Sequence, residues 1–344
     1  MRLSNFKNIA VFHTAFIGDV VLSLPFIQEI KNNNHSAKIT FITTPAAKVI
    51  TQVCDAIDES VVFDKRNAHK GLYGAKVFSN FLNEYGFDLY ICLHKYFRSS
   101  LISSMIKNSY KIGFNDAVMP WIYDKKVKYH RNIHEIERIL EFLKVFDIKP
   151  KLSLKDVVIS IGDVDVDVVN KLLASTNNYI VVSPGSVWET KRWTESAFIS
   201  LIKLFHNAGI NVVLTGSESE KNLCDRISKA SDVLNLAGKT NLAQTIEVIS
   251  RAKLIITNDS APTHLAGLVN TPTITIYGPT SPIFGFYPRS DNSSIIRNET
   301  LPCSPCRIHG GKRCPINTHE CMTSIKPEIV FEKSMNILKE LSQF

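Results

Sequence analysis

One stretch constrains the fold of this chain more than any other, the sequence LIITNDSAPTHLAGLVNTPTITIYGPT at residues 254–280. Leu254–Ile256 and Thr273–Tyr277 are short apolar runs of the kind that buried parallel strands present. Between them, His264–Val269 has the pattern of a helix, and Pro262 stands where a helix can begin. We therefore predict a βαβ unit whose polar residues follow the first strand, at the edge where open α/β sheets bind ligands.

Asp259 and Ser260 lie at the turn between the strand and the helix of this unit. Both residue types are common helix N-caps, which accept bonds from backbone N–H groups and need no further role. A helix N-terminus also attracts anions, so the same two residues equally suit a ligand site. The stretch alone leaves both interpretations open.

Length and composition describe a soluble globular protein of two domains. At roughly 150 residues per domain, 344 residues predict two domains, and 44% hydrophobic residues supply enough apolar material for two cores. The net charge of +8 favours an anionic partner. A nucleotide, a phosphorylated glycan, a membrane surface and a nucleic acid all meet that description.

The apolar run at the N-terminus, Ile9–Phe26, does not have the pattern of a signal peptide. His13 and Asp19 interrupt it, and no small-residue cleavage site follows. No uninterrupted apolar stretch approaches the roughly 20 residues that span a bilayer. We therefore expect a cytoplasmic protein, with peripheral contact at a membrane surface left open.

Strand and helix patterns alternate in both halves of the chain, which indicates parallel sheets covered by helices. Besides the βαβ unit, the strand-like runs are Ile9–Phe12, Ile39–Ile42, Val61–Phe63, Leu89–Leu93, Ile180–Ser183 and Asn211–Thr215. We predict an α/β fold made of two Rossmann-like doubly wound domains that face each other across a cleft.

The first domain is predicted to cover residues 1–170 and the second to cover 171–325, and the mixed, polar stretch 151–169 is interpreted as a linker plus the start of the second half. Residues 326–344 have the pattern of an amphipathic helix that either packs on its own domain or crosses back to the first. Ile133–Phe146 resembles another amphipathic helix, and the basic run Lys125–Lys128 is typical of solvated surface.

Polar loops follow three strand-like runs of the second half, at Ser183–Trp193, Gly216–Glu220 and Asn258–Ser260. The first loop combines a glycine, hydroxyls and Lys191, which suits phosphate, although it lacks the spacing of a Walker A loop. Three such loops in one α/β domain predict a nucleotide site. Glu220 suits the ribose hydroxyls or, alternatively, the first turn of a helix.

Four of the seven cysteines lie in one segment, Cys303–Cys321, which we call the cysteine-rich segment. Cys303 and Cys306 have the spacing of a zinc knuckle, whereas the spacings to Cys314 and Cys321 are looser than in usual zinc ribbons. An odd number of cysteines without an export signal indicates mostly reduced thiols. A structural zinc on these four cysteines, free thiols and a redox-labile pair all remain possible interpretations.

Four motifs occur in a fixed order along the chain. They are Gly18-Asp19-Val20-Val21 with Leu24-Pro25, Pro184-Gly185-Ser186 with Lys191-Arg192-Trp193, Asn258-Asp259-Ser260 with His264-Leu265-Ala266, and Tyr277-Gly278-Pro279-Thr280. With these motifs the chain resembles the bacterial ADP-heptose:lipopolysaccharide heptosyltransferases from about Ile9 to Cys321. The resemblance implies a GT-B glycosyltransferase with an N-terminal acceptor domain and a C-terminal nucleotide-sugar domain.

The resemblance also implies roles for individual residues. Asp19 matches the proposed general base of the family, and Lys191 matches the lysine that contacts the donor diphosphate. The other implied donor-binding positions are Ser186, Glu220, Thr240, Asp259, Ser260, Ala261 and His264. Arg98 is a candidate for an acceptor phosphate or carboxylate, or else a surface arginine. For Asp19 the alternative is the N-cap of a helix that begins at Val20.

The implied reaction is an inverting, metal-independent transfer of heptose from ADP-heptose to the lipopolysaccharide inner core. The acceptor would be Kdo-lipid A or heptosyl-Kdo-lipid A, met at the inner face of the inner membrane. One carboxylate suffices as base, and Lys191 with helix-terminal N–H groups would neutralise the leaving diphosphate without a catalytic cofactor. No Asp-x-Asp metal motif follows a predicted strand.

Three alternatives have different signatures. A sugar-nucleotide epimerase of the same fold would act on its donor without an acceptor, and a related glycosyltransferase would prefer another nucleotide sugar. A zinc-dependent nucleic-acid-binding protein would account for the cysteines and the positive charge. The chain lacks the interleaved aromatics and the basic recognition helix that such a protein needs, so we expect no nucleic-acid partner.

Overall fold

The computed structural model describes residues 1–341 and divides the chain into two compact units. Unit 1 is Met1–Ser160, and unit 2 begins at Ile161. The division thus falls earlier than the boundary that the sequence predicts after residue 170. Residues 342–344 of the predicted terminal helix lie outside the described residues.

Unit 1 is a doubly wound α/β domain. Its parallel strands lie in the order β3-β2-β1-β4-β5-β6, the Rossmann order. The strands are β1 Asn8–Phe12, β2 Lys38–Thr43, β3 Glu59–Val62, β4 Leu89–Cys92, β5 Tyr110–Phe114 and β6 Lys125–Val127. The helices are α1 Ile17–Asn33, α2 Lys48–Val53, α3 Gly71–Asn83, α4 Phe97–Met105 and α5 Glu135–Leu140.

Helix α1 fixes the turn that carries Asp19. The helix is buried from Val20 to Ile30, as expected where apolar residues occupy every side, and Phe26 packs edge-on against Phe142 at 6.0 Å. It begins at Ile17 with Phe16 as its N-cap, three residues before the predicted start. Asp19 is therefore inside the first turn, and its interpretation as the N-cap is wrong.

Unit 2 repeats the same topology, with parallel strands in the order β12-β11-β10-β7-β8-β9. The strands are β7 Tyr179–Ser183, β8 Asn211–Leu214, β9 Leu234–Asn235, β10 Ile255–Asn258, β11 Thr273–Tyr277 and β12 Ser294–Arg297. The helices are α6 Asp163–Leu172, α7 Glu195–Asn207, α8 Lys221–Ser231, α9 Leu242–Ser250, α10 Ala261–Leu268, α11 Glu320–Thr323 and α12 Pro327–Leu341. The α/β fold of two doubly wound domains is confirmed.

Helix α12 packs on unit 2. Val330 and Ile337 belong to the same buried cluster as Phe205 of α7, and the rings of Phe331 and Phe205 meet at 5.1 Å. The apolar face of the helix thereby covers α7. Among the described residues, no helix is long and apolar enough to cross a membrane.

Three local predictions can be compared with the structure. The stretch 151–169 does contain the start of the second half, since unit 2 begins at Ile161 and α6 at Asp163. The basic run at 125–128 is solvated as predicted, with its lysines exposed on the edge strand β6 and Val127 buried beneath them. The predicted helix at 133–146 is an α-helix only from Glu135 to Leu140, and a 3₁₀ helix follows from Glu141 to Phe146.

Candidate active site

The strand order of unit 2 reverses between β7 and β10, so the loops after these strands leave a crevice at the carboxyl edge of the sheet. Lys191 lies in the loop after β7, and Asp259 directly follows β10. Lys191 Nζ is 2.6 Å from Asp259 Oδ2, with side chains 13% and 8% exposed. Thr280, which follows β11, donates to the same carboxylate oxygen at 2.6 Å. The structure thus brings two of the predicted residues together and adds Thr280.

Asn258 holds the loop after β7 against β10. Its side-chain amide donates to the carbonyl of Pro184 at 2.8 Å and accepts from the backbone N–H of Trp193 at 3.0 Å. The side chain is fully buried, so these bonds have no water to compete with them. Asn258 was not predicted as a site residue, although its position before Asp259 is visible in the sequence.

His264 is in the first turns of α10, buried close to the ion pair. Burial lowers its pKa to about 4, Asp259 opposes that change, and the positive charge of Lys191 adds to it. The imidazole is therefore neutral at pH 7. A neutral ring has one donor and one acceptor nitrogen, which suits hydrogen bonding to a ligand.

Ser186 lies where the loop after β7 folds back on itself. Arg192 Nε donates to the carbonyl of Ser186 at 2.8 Å, and the Ser186 hydroxyl accepts from the N–H of Trp188 at 3.3 Å. The 3₁₀ turn Glu189–Lys191 lies between these contacts. The loop therefore presents Lys191 from a closed, internally bonded turn.

Glu220 caps the short 3₁₀ helix Glu218–Glu220 after β8. Its Oε2 accepts from the N–H and the hydroxyl of Ser217, each at 2.8 Å. The carboxylate also lies over Gly185, where any added Cβ would collide with Oε1. The alternative interpretation, an acidic residue in the first turn of a helix, is thus observed, and the same carboxylate borders the loop that carries Ser186.

The other three predicted donor residues have less distinctive surroundings. Ser260 is at the N-cap position of α10 without making a side-chain cap bond, and Ala261 is the first residue of that helix. The Thr240 hydroxyl is 2.9 Å from that of Thr245, at the start of α9. Ser260 and Ala261 thus follow Asp259 directly, while Thr240 belongs to a different loop.

His309, in the cysteine-rich segment, was missed. Burial lowers its pKa, the positive charge of Lys191 lowers it further, and the negative charge of Asp259 opposes that change. Because the charges of Lys191 and Asp259 both act on the imidazole, it lies near the ion pair. Nothing in the local sequence pattern indicates this, because His309 and Lys191 come together only through the tertiary fold.

The four cysteines of the segment line one cavity of about 40 Å³, together with Thr190, Pro279 and His319. All are free thiols. Burial raises the pKa of Cys321 to about 11, whereas four backbone N–H groups at residues 316–319 outweigh burial and lower the pKa of Cys314. Across residues 1–341, no group of three or more His, Cys, Asp or Glu side chains is placed to hold a metal ion.

In unit 1 the corresponding reversal of strand order lies between β1 and β4. Asp19 is in the first turn of α1, after β1, and is partly buried. The negative charge of Asp19 acts on Tyr129. Burial raises the pKa of Tyr129, Arg138 opposes that change, and the charges of Asp116 and Asp19 add to it. Asp19 therefore belongs to a group of interacting charges at this edge.

Arg98 lies in the first turn of α4, after β4, and forms a cationic pair with Lys65. Arg98 Nη1 donates to the carbonyl of Lys65 at 3.2 Å, and Lys65 Nζ donates to the carbonyl of Thr14 at 3.3 Å. Burial lowers the pKa of Lys65, and the charges of Arg98 and Arg66 lower it further. Neither Lys65 nor Arg98 pairs with a carboxylate within the described part of the chain.

Two buried histidines lie beside this pair, with ring centroids 6.4 Å apart. Burial lowers the pKa of His13 to about 3 and that of His94 to about 4. His94 Nδ1 is 2.6 Å from the Ser99 hydroxyl, whereas His13 Nδ1 has no hydrogen-bond partner among the described residues. A buried polar atom without a partner is rare in folded proteins, so His13 is a further candidate residue at this edge of the sheet.

The model of glycosyltransferase family 9 (heptosyltransferase) matches residues 77–314. The chain belongs to glycosyltransferase family 9. The predicted family and the prediction of a glycosyltransferase are thereby confirmed, and the enzyme can be compared with its relatives.

A lipooligosaccharide heptosyltransferase 2 of Campylobacter jejuni is 25% identical to this family 9 enzyme, over 94% of this chain and 96% of the relative. A solved family 9 glycosyltransferase from Veillonella parvula superposes with a TM-score of 0.85 at 22% identity, over 99% of both chains. The E. coli heptosyltransferase WaaC with ADP-2-deoxy-2-fluoro heptose gives 0.72 at 19% identity, over 95% of this chain and 100% of that one. These matches confirm the predicted GT-B fold class.

Proposed function

We propose that this family 9 enzyme transfers heptose from ADP-heptose to the lipopolysaccharide inner core, with inversion and without a catalytic metal. The buried ion pair between Lys191 and Asp259 at the sheet edge of unit 2 carries the proposal. Relatives support the substrates, since the Campylobacter enzyme is a lipooligosaccharide heptosyltransferase and WaaC was solved with an ADP-heptose analogue.

The donor diphosphate would bind Lys191. Asp259 and Thr280 hold this lysine in place, so a charged donor group is fixed before the ligand arrives. Neutral His264 would donate to a phosphate or sugar oxygen, and Glu220 would accept from the ribose. Ser186, Thr240, Ser260 and Ala261 stay predicted lining residues: Ser186, Ser260 and Ala261 adjoin Gly185 or Asp259, and Thr240 rests on resemblance alone.

The acceptor would bind unit 1. Lys65 and Arg98 lack a carboxylate partner within the described residues, so an acceptor phosphate or carboxylate would supply the missing negative charge. Kdo-lipid A and heptosyl-Kdo-lipid A both carry such groups. Arg98 is thus proposed as an acceptor-binding residue on the basis of its position beside a second cation.

Asp19 would be the general base. In an inverting transfer the acceptor hydroxyl attacks the anomeric carbon, its proton passes to the carboxylate, and the bond from that carbon to the diphosphate breaks to release ADP. Lys191 would stabilise the charge that develops on the diphosphate. No step in this sequence requires a metal ion.

Peripheral membrane contact is the remaining part of the proposal, with the enzyme at the cytoplasmic face of the inner membrane. Helix α3 exposes Leu72, Tyr73, Val77 and Phe81, the tyrosine 80% and the leucine 66% exposed. Exposed cations lie beside them at Arg66, Lys70 and Lys76. An apolar face flanked by cations suits an anionic lipid surface, so we assign the contact to this α3 surface.

A structural zinc on Cys303, Cys306, Cys314 and Cys321 is proposed separately from catalysis. All four thiols line one cavity, and backbone N–H groups lower the pKa of Cys314, which favours the thiolate that zinc binds. Because no group of three or more such side chains in residues 1–341 is placed to hold a metal ion, the proposal requires the thiols to rearrange when zinc binds. If it binds, protein purified under reducing conditions contains about one zinc per chain. Less than about a tenth of an equivalent contradicts it.

The experiment that tests the function is release of ADP from ADP-heptose, with and without a delipidated Kdo-containing acceptor. We expect release only when the acceptor is present, and no loss in EDTA. Equal release without the acceptor would favour the epimerase of similar fold. A preference for UDP- or GDP-sugars would favour a glycosyltransferase of different donor specificity, and a shift of random DNA would revive the nucleic-acid alternative.

A further inference from the structure

Thr190 directs all of its polar atoms at the cysteine-rich segment. Its hydroxyl donates to the carbonyl of Gly311 at 3.1 Å and accepts from the Gly311 N–H at 2.8 Å, across 121 residues of sequence. Its own N–H donates to the same carbonyl, and its carbonyl lies 2.8 Å from His319 Nε2. Thr190 is buried and directly precedes Lys191.

Gly310 covers the side chain of Lys191. A Cβ added at Gly310 would lie 3.0 Å from Lys191 Cγ and 3.1 Å from Trp188 Cβ, and the backbone has a φ of +79°. This close approach requires glycine, because a side chain would displace the lysine and strain the backbone. The segment therefore restricts where the Lys191 side chain can lie.

The same segment binds the other side of the ion pair. The Ser304 hydroxyl donates to the carbonyl of Gly278 at 2.7 Å, and the Cys306 N–H donates to that of Pro279 at 3.0 Å. Thr280, the next residue, donates to Asp259. The cysteine-rich segment thus contacts the chain immediately beside Lys191 and immediately beside Thr280, the residue that donates to Asp259.

We propose that the cysteine-rich segment positions the donor site and that Thr190 is the positioning residue that connects it to Lys191. This inference rests on the proposed role of Lys191 in binding the donor diphosphate. Bonds that fix a loop before the ligand binds reduce the ordering cost of binding. Loss of the Thr190 hydroxyl therefore weakens binding of ADP even though that hydroxyl need not touch the nucleotide.

Two substitutions of Thr190, with two further variants, separate this role from a general structural one. Thr190→Val keeps the shape of the side chain and removes the hydroxyl, whereas Thr190→Ser keeps the hydroxyl. Thr271→Val is the matched control, since Thr271 is also buried in unit 2 and donates to the carbonyl of Ile249 at 2.8 Å, away from the ion pair. His319→Asn removes the second contact and retains a residue that tolerates the φ of +50° observed there.

The experiment is calorimetric titration of ADP, with donor KM, kcat and Tm measured on the same samples. We expect Thr190→Val to weaken ADP binding about tenfold and to raise donor KM similarly, with kcat nearly unchanged. The reason is the loss of the neutral hydrogen bonds between the Thr190 hydroxyl and Gly311. Thr190→Ser restores binding, Thr271→Val binds as wild type despite a lower Tm, and His319→Asn weakens binding about threefold.

Wild-type affinity in both Thr190→Val and His319→Asn overturns the inference, and so does an equal loss in Thr271→Val or a failure of Thr190→Ser to restore binding. Where Thr190→Val does not fold, His319→Asn decides the matter by the same comparison with Thr271→Val. A wild-type enzyme that does not bind ADP overturns the proposed function and this inference with it. A wild-type enzyme that binds ADP confines any failure to this inference.

Discussion

Unit 1 and unit 2 share one strand order, yet the loops at the reversal points of their sheets carry different arrangements of charge. In unit 2, Lys191 and Asp259 form a buried pair at 2.6 Å. In unit 1, Lys65 and Arg98 lie side by side, and each positive charge opposes the other. The same fold thus has a site in unit 2 whose cation is already paired, and a site in unit 1 whose cations would be stabilised by a bound anion.

This difference matches the two substrates of the proposed transfer. A site that releases ADP must hold its lysine in position through each cycle, and Asp259 does so while the site is empty. A site for a phosphorylated or carboxylated acceptor binds its ligand most strongly when its cations have no other negative partner. The comparison therefore supports the proposed placement of the donor in unit 2 and the acceptor in unit 1, and substitutions at either site can test it.

The largest effect is expected at Asp19. Asp19→Asn keeps the shape of the side chain but removes the base, so turnover should fall by roughly 10²–10⁴-fold. Steady-state kinetics with saturating donor and acceptor measures this. Asp19→Ser should be equally inactive, because serine has no carboxylate to accept the proton and Asp19 is not the N-cap of α1, a role that serine could keep. Near wild-type turnover in the serine variant would remove Asp19 from the mechanism.

Breaking the pair in unit 2 should cost stability. Asp259→Asn leaves Lys191 buried without its counter-charge, which typically costs about 3–5 kcal/mol. The control is Glu247→Gln, which breaks the more exposed pair with Arg251, 33% and 18% exposed, at a cost under about 1 kcal/mol. Urea unfolding measures both. An equal loss of unfolding free energy in the two variants would show that the Lys191–Asp259 pair contributes no more to stability than an exposed pair.

The cationic pair of unit 1 should act on the acceptor alone. Arg98→Ala removes a charge-assisted contact, so the acceptor KM should rise about tenfold while the affinity for ADP is unchanged. Lys125→Ala, an exposed lysine on the edge strand β6, is the control and should change neither value. A change in ADP affinity in Arg98→Ala would contradict the division between the two units.

Stability should fall in acid because of the buried histidines. The pKa of His264 is about 4 in the folded enzyme and about 6.5 when unfolded, so its contribution is complete above pH 6.5 and is lost as the pH falls towards 4. Between pH 7 and pH 5 this amounts to about 2 kcal/mol. Urea unfolding of His264→Gln should show a correspondingly shallower dependence on pH, and an unchanged slope would contradict the buried neutral imidazole.

The α3 surface should give the smallest effect. Replacing Tyr73 and Val77 by serine removes exposed apolar area, so binding to phosphatidylglycerol vesicles should fall about tenfold in a sedimentation assay. Val164→Ser with Val187→Ser is the control, since both valines are also highly exposed, at 79% and 74%. Equal binding by the two double variants would show that α3 is not the contact surface.

Sequence patterns predicted the elements that carry their own signal. The βαβ unit around Asp259 was predicted within a few residues, because two apolar runs flank a helix pattern that begins near Pro262. The acidic start of α6 was missed, since Asp163 and Asp165 alternate with valines and do not show a helical apolar stripe. Their charges instead suit the first turn of a helix.

The candidate site was predicted as separate loops, and the structure adds the contacts between them. Lys191 and Asp259 were both expected to bind the donor, but their direct pairing and the bond from Thr280 depend on how three strands align. The bonds of Thr190 to Gly311 and His319 join residues that are 121 and 129 positions apart. No local pattern contains contacts of that kind.

The most direct test of the division between the units is ADP affinity measured by calorimetry on Asp19→Asn and Lys191→Ala, beside turnover on the same preparations. We predict that Asp19→Asn binds ADP as the wild type does and fails to turn over. We predict that Lys191→Ala binds ADP at least about tenfold more weakly and also transfers slowly, since Lys191 would contact phosphate in both ground and transition states and would stabilise the charge that develops on the leaving diphosphate. Equal ADP affinity in the two variants would contradict the account.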